Sequence, residues 1–439
     1  MDSNASPKLL KSARRIATHL ADKLQADLTL VLWDGSRIPL GPHITDDLAL
    51  AIRSPTALTR LLRRPRMATL VDLLAHGDID IEGGTLLDLA ARRGTASRGA
   101  FKKLSKWLLA RSLLPFLLAS TKTPAIASEA YTGTGEAAAT RDDKALIQFH
   151  YDLSNEFYGL FLDPERQYSC GYYAEHHFDL TAAQQAKLDM ICRKLRLQPG
   201  DRFLDIGCGW GGLVCHAAQH FGATAHGVTL SQAQFDFVQA KIDRLGLRDR
   251  ITVELKDYRE LTGEFDKIAS IGMFEHVPWD DHAVYFQKLR SLLRPRGIML
   301  HHAITRPAKD SLKKFRRKRA EYAALVRYIF PGGELDHIGH TLTTIESNGF
   351  EVHDVEGWRE HYARTCRDWT ERLHHNRAQA EAEVGPAKTR LWLLYLAGCS
   401  LAFDRGGAAI FQTVATKRSR GAAGLPPSRA DLYTRRPTA

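Results

Sequence analysis

No two cysteines in this 439-residue chain are spaced as CxxC. The six present, Cys170, Cys192, Cys208, Cys215, Cys366 and Cys399, are scattered. That argues against a zinc ribbon or a disulfide framework and fits a reducing cytoplasm. No metal site is expected. The N-terminal run MDSNASPKLLKSARR lacks the apolar core of a signal peptide. No apolar run reaches membrane-spanning length. The most apolar, WLLARSLLPFLLA (107–119), is too short and contains Arg111 and Pro115. It reads as a buried or partner-facing helix, or as one lying in a membrane interface behind Lys102, Lys103 and Lys106. There is no internal repeat. Acidic residues are in deficit: Asp+Glu number 50 against 61 Lys+Arg, a net charge of +11. Such a surplus favours a phosphate-bearing partner, either nucleic acid or an anionic membrane face.

Residues 1–95 read as a small α+β domain. LTLVLW (28–33), the turn Asp34-Gly35-Ser36 and RIPL (37–40) predict a hairpin. TALTRLLRRP (56–65) predicts a helix stopped by Pro65. The segment 96–144 reads as helix and linker, with small and polar residues concentrated at 121–143. From 145 to 416 strand and helix patterns alternate. Strands are expected at 201–207, 223–230, 250–257, 265–272 and 297–305, with late strands at 350–358 and 408–417. Alternation of this kind makes a mostly parallel sheet covered by helices, with ligands beyond the carboxyl ends of the strands. The basic tail 417–439, rich in Gly, Pro and Ser, is expected to be disordered.

The strongest motif is LDIGCGWGG (204–212). A strand delivers Asp205, then Gly207, Gly209 and Gly211 open a helix with Cys208 and Trp210 between them. Glycine lets a backbone turn sharply and approach a ligand. The spacing is GxGxG, unlike the GxGxxG of a dinucleotide loop. A carboxylate at Asp205 would repel a pyrophosphate and suits a cationic or amine-bearing ligand such as the aminoacyl end of S-adenosylmethionine. Asp257 and Tyr258 follow the third strand, where they are placed to meet an adenine amino group and ring.

These residues resemble the cyclopropane fatty acid and mycolic acid cyclopropane synthases. The likeness rests on LDIGCGWGG, GVTLSQAQ (227–234), GMFEHV (272–277), YIFPGG (328–333) and the upstream run HYDLSNEFYGLFLDPERQYSCGYY (150–173), and covers about 145–416. It implies a seven-stranded Rossmann-like class I methyltransferase sheet with helical lipid-pocket insertions. It places S-adenosylmethionine against Tyr168, Ser169, Gly207, Gly209, Thr229, Ser231, Gln234, Asp257 and Tyr258. It implies a bicarbonate ion near Cys170, Glu275, His302, the Ile304 backbone and Tyr362, and adds Cys399, in YLAGCSLAF, as an active-site residue. The sequence departs from the family in a basic run: Arg306 to Arg327 holds nine Lys/Arg. The family's Trp before YIFP is also absent.

An alkene needs no proton removed before it attacks a sulfonium methyl. The attack leaves a carbocation, which calls for a dry pocket, aromatic faces (Tyr168, Tyr172, Phe274 and Tyr362 are candidates) and a base placed by Glu275, His302 and Tyr362. The implied substrate is an unsaturated phospholipid acyl chain, reached by a cytoplasmic protein held peripherally at the anionic inner face of a membrane. Homodimer formation is left open. Two rival activities are a same-family C-methyltransferase giving methyl- or methylene-branched chains, and a nucleic acid methyltransferase. The second would need a base-flipping pocket, and the motifs point to an apolar tunnel, so no nucleic acid partner is expected.

Overall fold

The computed structural model describes residues 7–24, 26–92, 104–119, 153–317 and 328–434. The expected linker at 121–143 and the basic positions 318–327 lie outside the described residues. The chain divides into two compact units. The first takes residues 1–132, 318–329 and 370–399; the second takes 133–317, 330–369 and 400–439.

In the first unit the hairpin forms as expected. β1 (Thr29–Val31) and β2 (Arg37–Pro39) pair antiparallel around the Asp34-Gly35 turn. β3 (Ala49–Ile52) and β4 (Ile79–Glu82) complete a four-stranded sheet in the order β2-β1-β3-β4. Ser54 caps the helix Pro55–Arg63, which ends before Pro65. The apolar run 107–119 forms the helix Lys106–Leu118. Its Phe116 is fully buried edge-on to Trp33, while Trp107, Leu114, Leu117 and Leu118 remain exposed. Among the described residues no helix is long and apolar enough to cross a membrane.

The second unit is built on a seven-stranded sheet. Its strands are β5 (Arg202–Ile206), β6 (Thr224–Thr229), β7 (Ile251–Leu255), β8 (Phe265–Ile271), β9 (Leu293–Thr305), β10 (Phe350–Gly357) and β11 (Ala409–Lys417). The order is β10-β11-β9-β8-β5-β6-β7. β5 to β9 run parallel to their neighbours, and β11 inserts antiparallel between β9 and β10. Apolar side chains cover both faces: Phe203, Val214 and Ala218 with their neighbours on one side, Ile206, Phe286 and Met299 on the other. Burial on both faces explains why these strands read as continuous apolar runs. Strand order reverses at β5 and β8, which opens a cleft beyond their carboxyl ends. β9 begins at Leu293, four residues before the expected strand 297–305, and its first residue pairs with Phe265.

The expected disorder of the tail is corrected for residues 418–434. Leu432 is buried, Asp431 pairs with Arg196, Arg429 pairs with Asp354, and Arg193 donates to the Leu432 and Thr434 carbonyls. A low-complexity composition is overridden here by two apolar contacts, Leu425 and Leu432, and complementary charges.

Candidate active site

The glycine loop lies at the strand-order reversal. Gly207, Gly209 and Gly211 have φ of 77°, 54° and 76°. A Cβ on Gly211 would stand 2.7 Å from Val238, and one on Gly207 3.2 Å from Met273. All three favour glycine for backbone sign, and Gly207 and Gly211 also for space. Gly211 caps the helix Gly212–Phe221. The cleft beside the loop is lined by Tyr168, Ser169, Asp205, Gly207, Gly209, Trp210, Thr229, Gln234 and Tyr258 among the expected residues. Trp210 is fixed by its indole N–H, which donates to Asn155 at 2.7 Å, and by contact with Tyr158.

Gly211, Ser231 and Asp257 are not among the residues that line this cleft. Gly211 supports the helix start from behind the wall. Ser231 caps the helix Gln232–Leu245 by accepting from the Gln234 amide. Asp257 turns its carboxylate onto the side chain and amide of Arg259, leaving Lys256 and Tyr258 as the cleft wall.

Asp205 is the informative acid. It is buried, and its Oδ1 has no protein partner. Burial pushes its carboxyl up to about 7, opposed by the charge of Lys187. Lys187 was not anticipated from sequence. Its Nζ donates to Gln167 Oε1 at 2.6 Å and Ser169 Oγ at 2.9 Å, and burial lowers it to about 8. The helix Leu180–Lys194 carried a signal for it: Gln184 and Lys187 fall within the apolar stripe of Leu180, Ala183, Leu188 and Ile191, and all six are buried. Gln184 holds the Ser169 carbonyl at 2.9 Å. Two buried polar residues on one helix thus shape the QYSC segment that faces the cleft.

A second group of polar atoms lies in the dry interior. Glu275 Oε1 accepts from the Ile304 amide at 2.7 Å, while Oε2 has no protein partner. Burial raises this carboxyl to about 7, against the pull of the Ile304 hydrogen bond. His302 sits two residues before Ile304 on β9 and is fully buried. Lys194 Nζ donates to Gln412 Oε1 at 2.8 Å, so the Gln412 amide nitrogen must face His302 Nδ1, 2.9 Å away. His302 Nδ1 is then an acceptor, and the proton resides on Nε2, which has no protein partner. Burial holds the ring well below its ordinary pKa, hence neutral.

Tyr362 stacks on Phe403 at 4.5 Å and stands edge-on to Trp369. Burial raises its hydroxyl well above the ordinary range, and a charge on Glu275 acts in the same direction. Cys170 directs its thiol at the Gly171 and Trp358 carbonyls, and burial raises it. Cys170, Glu275, His302 and Tyr362 are thus all in the second unit. Cys399 lies in the first unit, half-buried, with Tyr395 as hydrogen-bond partner and a thiol pushed up to about 12 by burial. Of the aromatic candidates, Tyr168 lines the cleft and contacts Trp369 at 5.2 Å. Tyr172 stacks on Trp358 at 4.7 Å, and Phe274 packs among Tyr285, Phe286 and His301 in the core.

A profile of the mycolic acid cyclopropane synthetase family matches residues 138–413. A probable fatty acid methyltransferase of Pseudomonas putida is 37% identical over 413 residues, covering 93% of this chain and 97% of its own length. Another, from Mycobacterium tuberculosis, is 36% identical over 419 residues, covering 92% and 94%. The solved cyclopropane synthase MmaA2 from Mycobacterium tuberculosis superposes with TM-score 0.60 at 32% identity, covering 64% of this chain and all of that one. The mycolic acid cyclopropane synthase CmaA1 complexed with SAH and CTAB gives TM-score 0.60 at 33% identity, with the same coverage. With its class I methyltransferase sheet and glycine loop, this chain belongs to the mycolic acid cyclopropane synthase family of S-adenosylmethionine-dependent methyltransferases.

Proposed function

We propose that this enzyme converts the cis double bond of an unsaturated phospholipid acyl chain into a cyclopropane ring, with S-adenosylmethionine as the carbon donor. The observation that carries this reading is the pair of buried atoms without protein partners, Glu275 Oε2 and His302 Nε2, in an interior rich in aromatic faces. Burying such atoms costs about 1–3 kcal/mol each. They suit a small polar anion that accepts from His302 and Tyr362 and donates to Glu275, which is what bicarbonate offers.

The alkene attacks the methyl carbon, the carbon–sulfur bond breaks, and a carbocation remains on the acyl chain. Tyr168, Tyr362 and Trp369 present ring faces that stabilise a cation by roughly 0.5–2 kcal/mol each. Loss of one proton from the transferred methyl lets the ring close. Bicarbonate would supply the base for that proton. Glu275, in its ionised form, holds and polarises that base, His302 donates from Nε2, and Cys170 and Tyr362 close the wall. Asp205 receives the amino end of the methyl donor. Exclusion of water protects the cation from capture.

The exposed Trp107, Leu114, Leu117 and Leu118 of the helix Lys106–Leu118, with the net charge of +11, support peripheral binding to the anionic inner face of a membrane. A second reading is favoured by the names of the 37% and 36% identical relatives: a fatty acyl methyltransferase whose product is branched.

Expression in cells with monounsaturated phospholipids tests both. A gain of about 14 mass units per acyl chain, one CH₂, is expected. A ring product resists ozonolysis and a methylene branch is cleaved. Absence of any mass gain in lipids of cells holding folded protein would overturn the proposal.

A further inference from the structure

A second polar cluster lies behind the Glu275 loop, and the chemistry above does not use it. His282 opens the helix His282–Leu292; Asp336 and His340 flank the start of the helix Ile338–Ser347. Asp336 Oδ2 stands 3.6 Å from His282 Nδ1 and 2.9 Å from His340 Nδ1. One nitrogen or oxygen from each residue lies within 4.8 Å of the other two.

Ordinary packing accounts for His340, which pairs with Asp336 and stacks on Trp279 at 4.2 Å. It does not account for His282. That ring is 2% exposed, its backbone partner is the Val277 carbonyl, and its Nδ1 lies 3.6 Å from Asp336 Oδ2, beyond hydrogen-bond reach. Phe274 covers the ring at 4.1 Å. Its nearest acid, Asp336, is equally buried. Among the described residues, the basic side chains within ion-pair distance of Asp336 are these two imidazoles.

Two imidazoles and a carboxylate are a familiar donor set for zinc. With metal–ligand bonds of about 2.0–2.1 Å, tetrahedral donors stand roughly 3.3 Å apart. The observed separations lie on either side of that value. Liganding groups are commonly fixed by outer hydrogen bonds. Here Thr341 Oγ1 donates to Asp336 Oδ2 at 2.7 Å, and the Val277 carbonyl faces His282. The His340 side chain is 31% exposed, so the cluster reaches the surface on that side. We infer that His282 Nδ1, Asp336 Oδ2 and His340 Nδ1 bind one divalent transition-metal ion of the zinc type.

The site is joined to the catalytic loop by backbone. Thr305 bridges Asp336, Arg306 N donates to the Asp336 carbonyl at 2.8 Å, and Glu334 N donates to the Glu275 carbonyl at 2.9 Å. The Glu334 carboxylate in turn accepts from Trp279 N at 2.8 Å. An ion here braces residues 334–340 against 275–282 without touching the reacting atoms. The inference does not depend on which lipid is the substrate.

The test uses untagged full-length protein, stripped with a chelator and titrated with Co²⁺ alone. One Co²⁺ per chain, with visible bands of tetrahedral intensity that Zn²⁺ abolishes, is expected. His340→Gln, at a part-exposed position, should bind more than about 10-fold more weakly. S-adenosylmethionine binding by that variant should match wild type, which shows that it folds. His282→Asn should do the same. The double variant His374→Ala, His375→Ala removes a surface histidine pair and should retain the site. No stoichiometric Co²⁺ binding by wild type, wild-type affinity in His340→Gln, or loss of binding in the His374/His375 variant would each overturn the inference.

Discussion

His302 and Gln412 are direct cross-strand partners on β9 and β11, and their pairing fixes the histidine tautomer. Lys194 can only donate, so it takes the Gln412 oxygen and turns the amide nitrogen toward His302 Nδ1. The Nε2 proton of His302 is therefore set by a lysine that never meets the ring. Gln412→Glu reverses the relation. A carboxylate accepts from both neighbours, draws the proton to Nδ1, and leaves Nε2 as an acceptor. The expected result is a fall in kcat on the order of 10²–10⁴-fold, with S-adenosylmethionine affinity unchanged. Wild-type turnover in Gln412→Glu would show that the tautomer is irrelevant.

Glu275 links activity to stability with opposite signs. Its folded carboxyl is raised to about 7 from 4.5. The folded state therefore binds more protons than the unfolded state between those values, so ionisation destabilises the fold as pH rises through that window. Glu275→Gln removes this cost. At pH 8 the variant should be more stable than wild type by on the order of 2–3 kcal/mol, and near pH 4 the difference should vanish. Turnover should be mostly lost while donor binding persists. Denaturant melts at the two pH values and a single-turnover assay check both halves.

Asp205 should make donor binding pH-dependent. Its carboxyl is raised to about 7 by burial, and an ammonium group favours the ionised form. Affinity for S-adenosylmethionine should fall as pH drops through about 7. Asp205→Asn should bind roughly 10–100-fold more weakly at pH 8, the size of one charge-assisted hydrogen bond, and lose the pH slope. Calorimetry across pH 6–8 reads both; a wild-type slope in the variant would move the titration to another group.

The sheet was legible because each buried strand leaves a short apolar run between turn residues. The glycine loop was legible because its backbone conformation forbids most other residues. Lys187 was missed for a physical reason: a lysine on an amphipathic helix usually reaches water, and only its position within the apolar stripe betrays its burial. Asp257 was read from its place at a strand end, yet Arg259, two residues on, takes its carboxylate. Asp336 and His340 stand four residues apart, but His282 is more than fifty residues away in sequence and only loop packing brings it to them.

The ordered tail gives the last prediction. Residues 418–434 return to the second unit, where Leu432 is 2% exposed and Arg193 and Arg196 grip the final turn. The Arg196–Asp431 and Arg429–Asp354 pairs are partly solvated and contribute little, about 0–1 kcal/mol each. The buried Leu432 contributes roughly 2–3 kcal/mol, and the half-buried Leu425, packed on the sheet's core, adds a smaller share. Leu432→Ala should lower stability by about that amount and match deletion of residues 418–439 to within roughly 1 kcal/mol. Donor affinity should not change, since none of these residues lines the cleft. Denaturant melts of the point variant and the deletion, measured side by side, decide it. A deletion far more costly than Leu432→Ala would put the weight on Leu425 and the charged pairs instead.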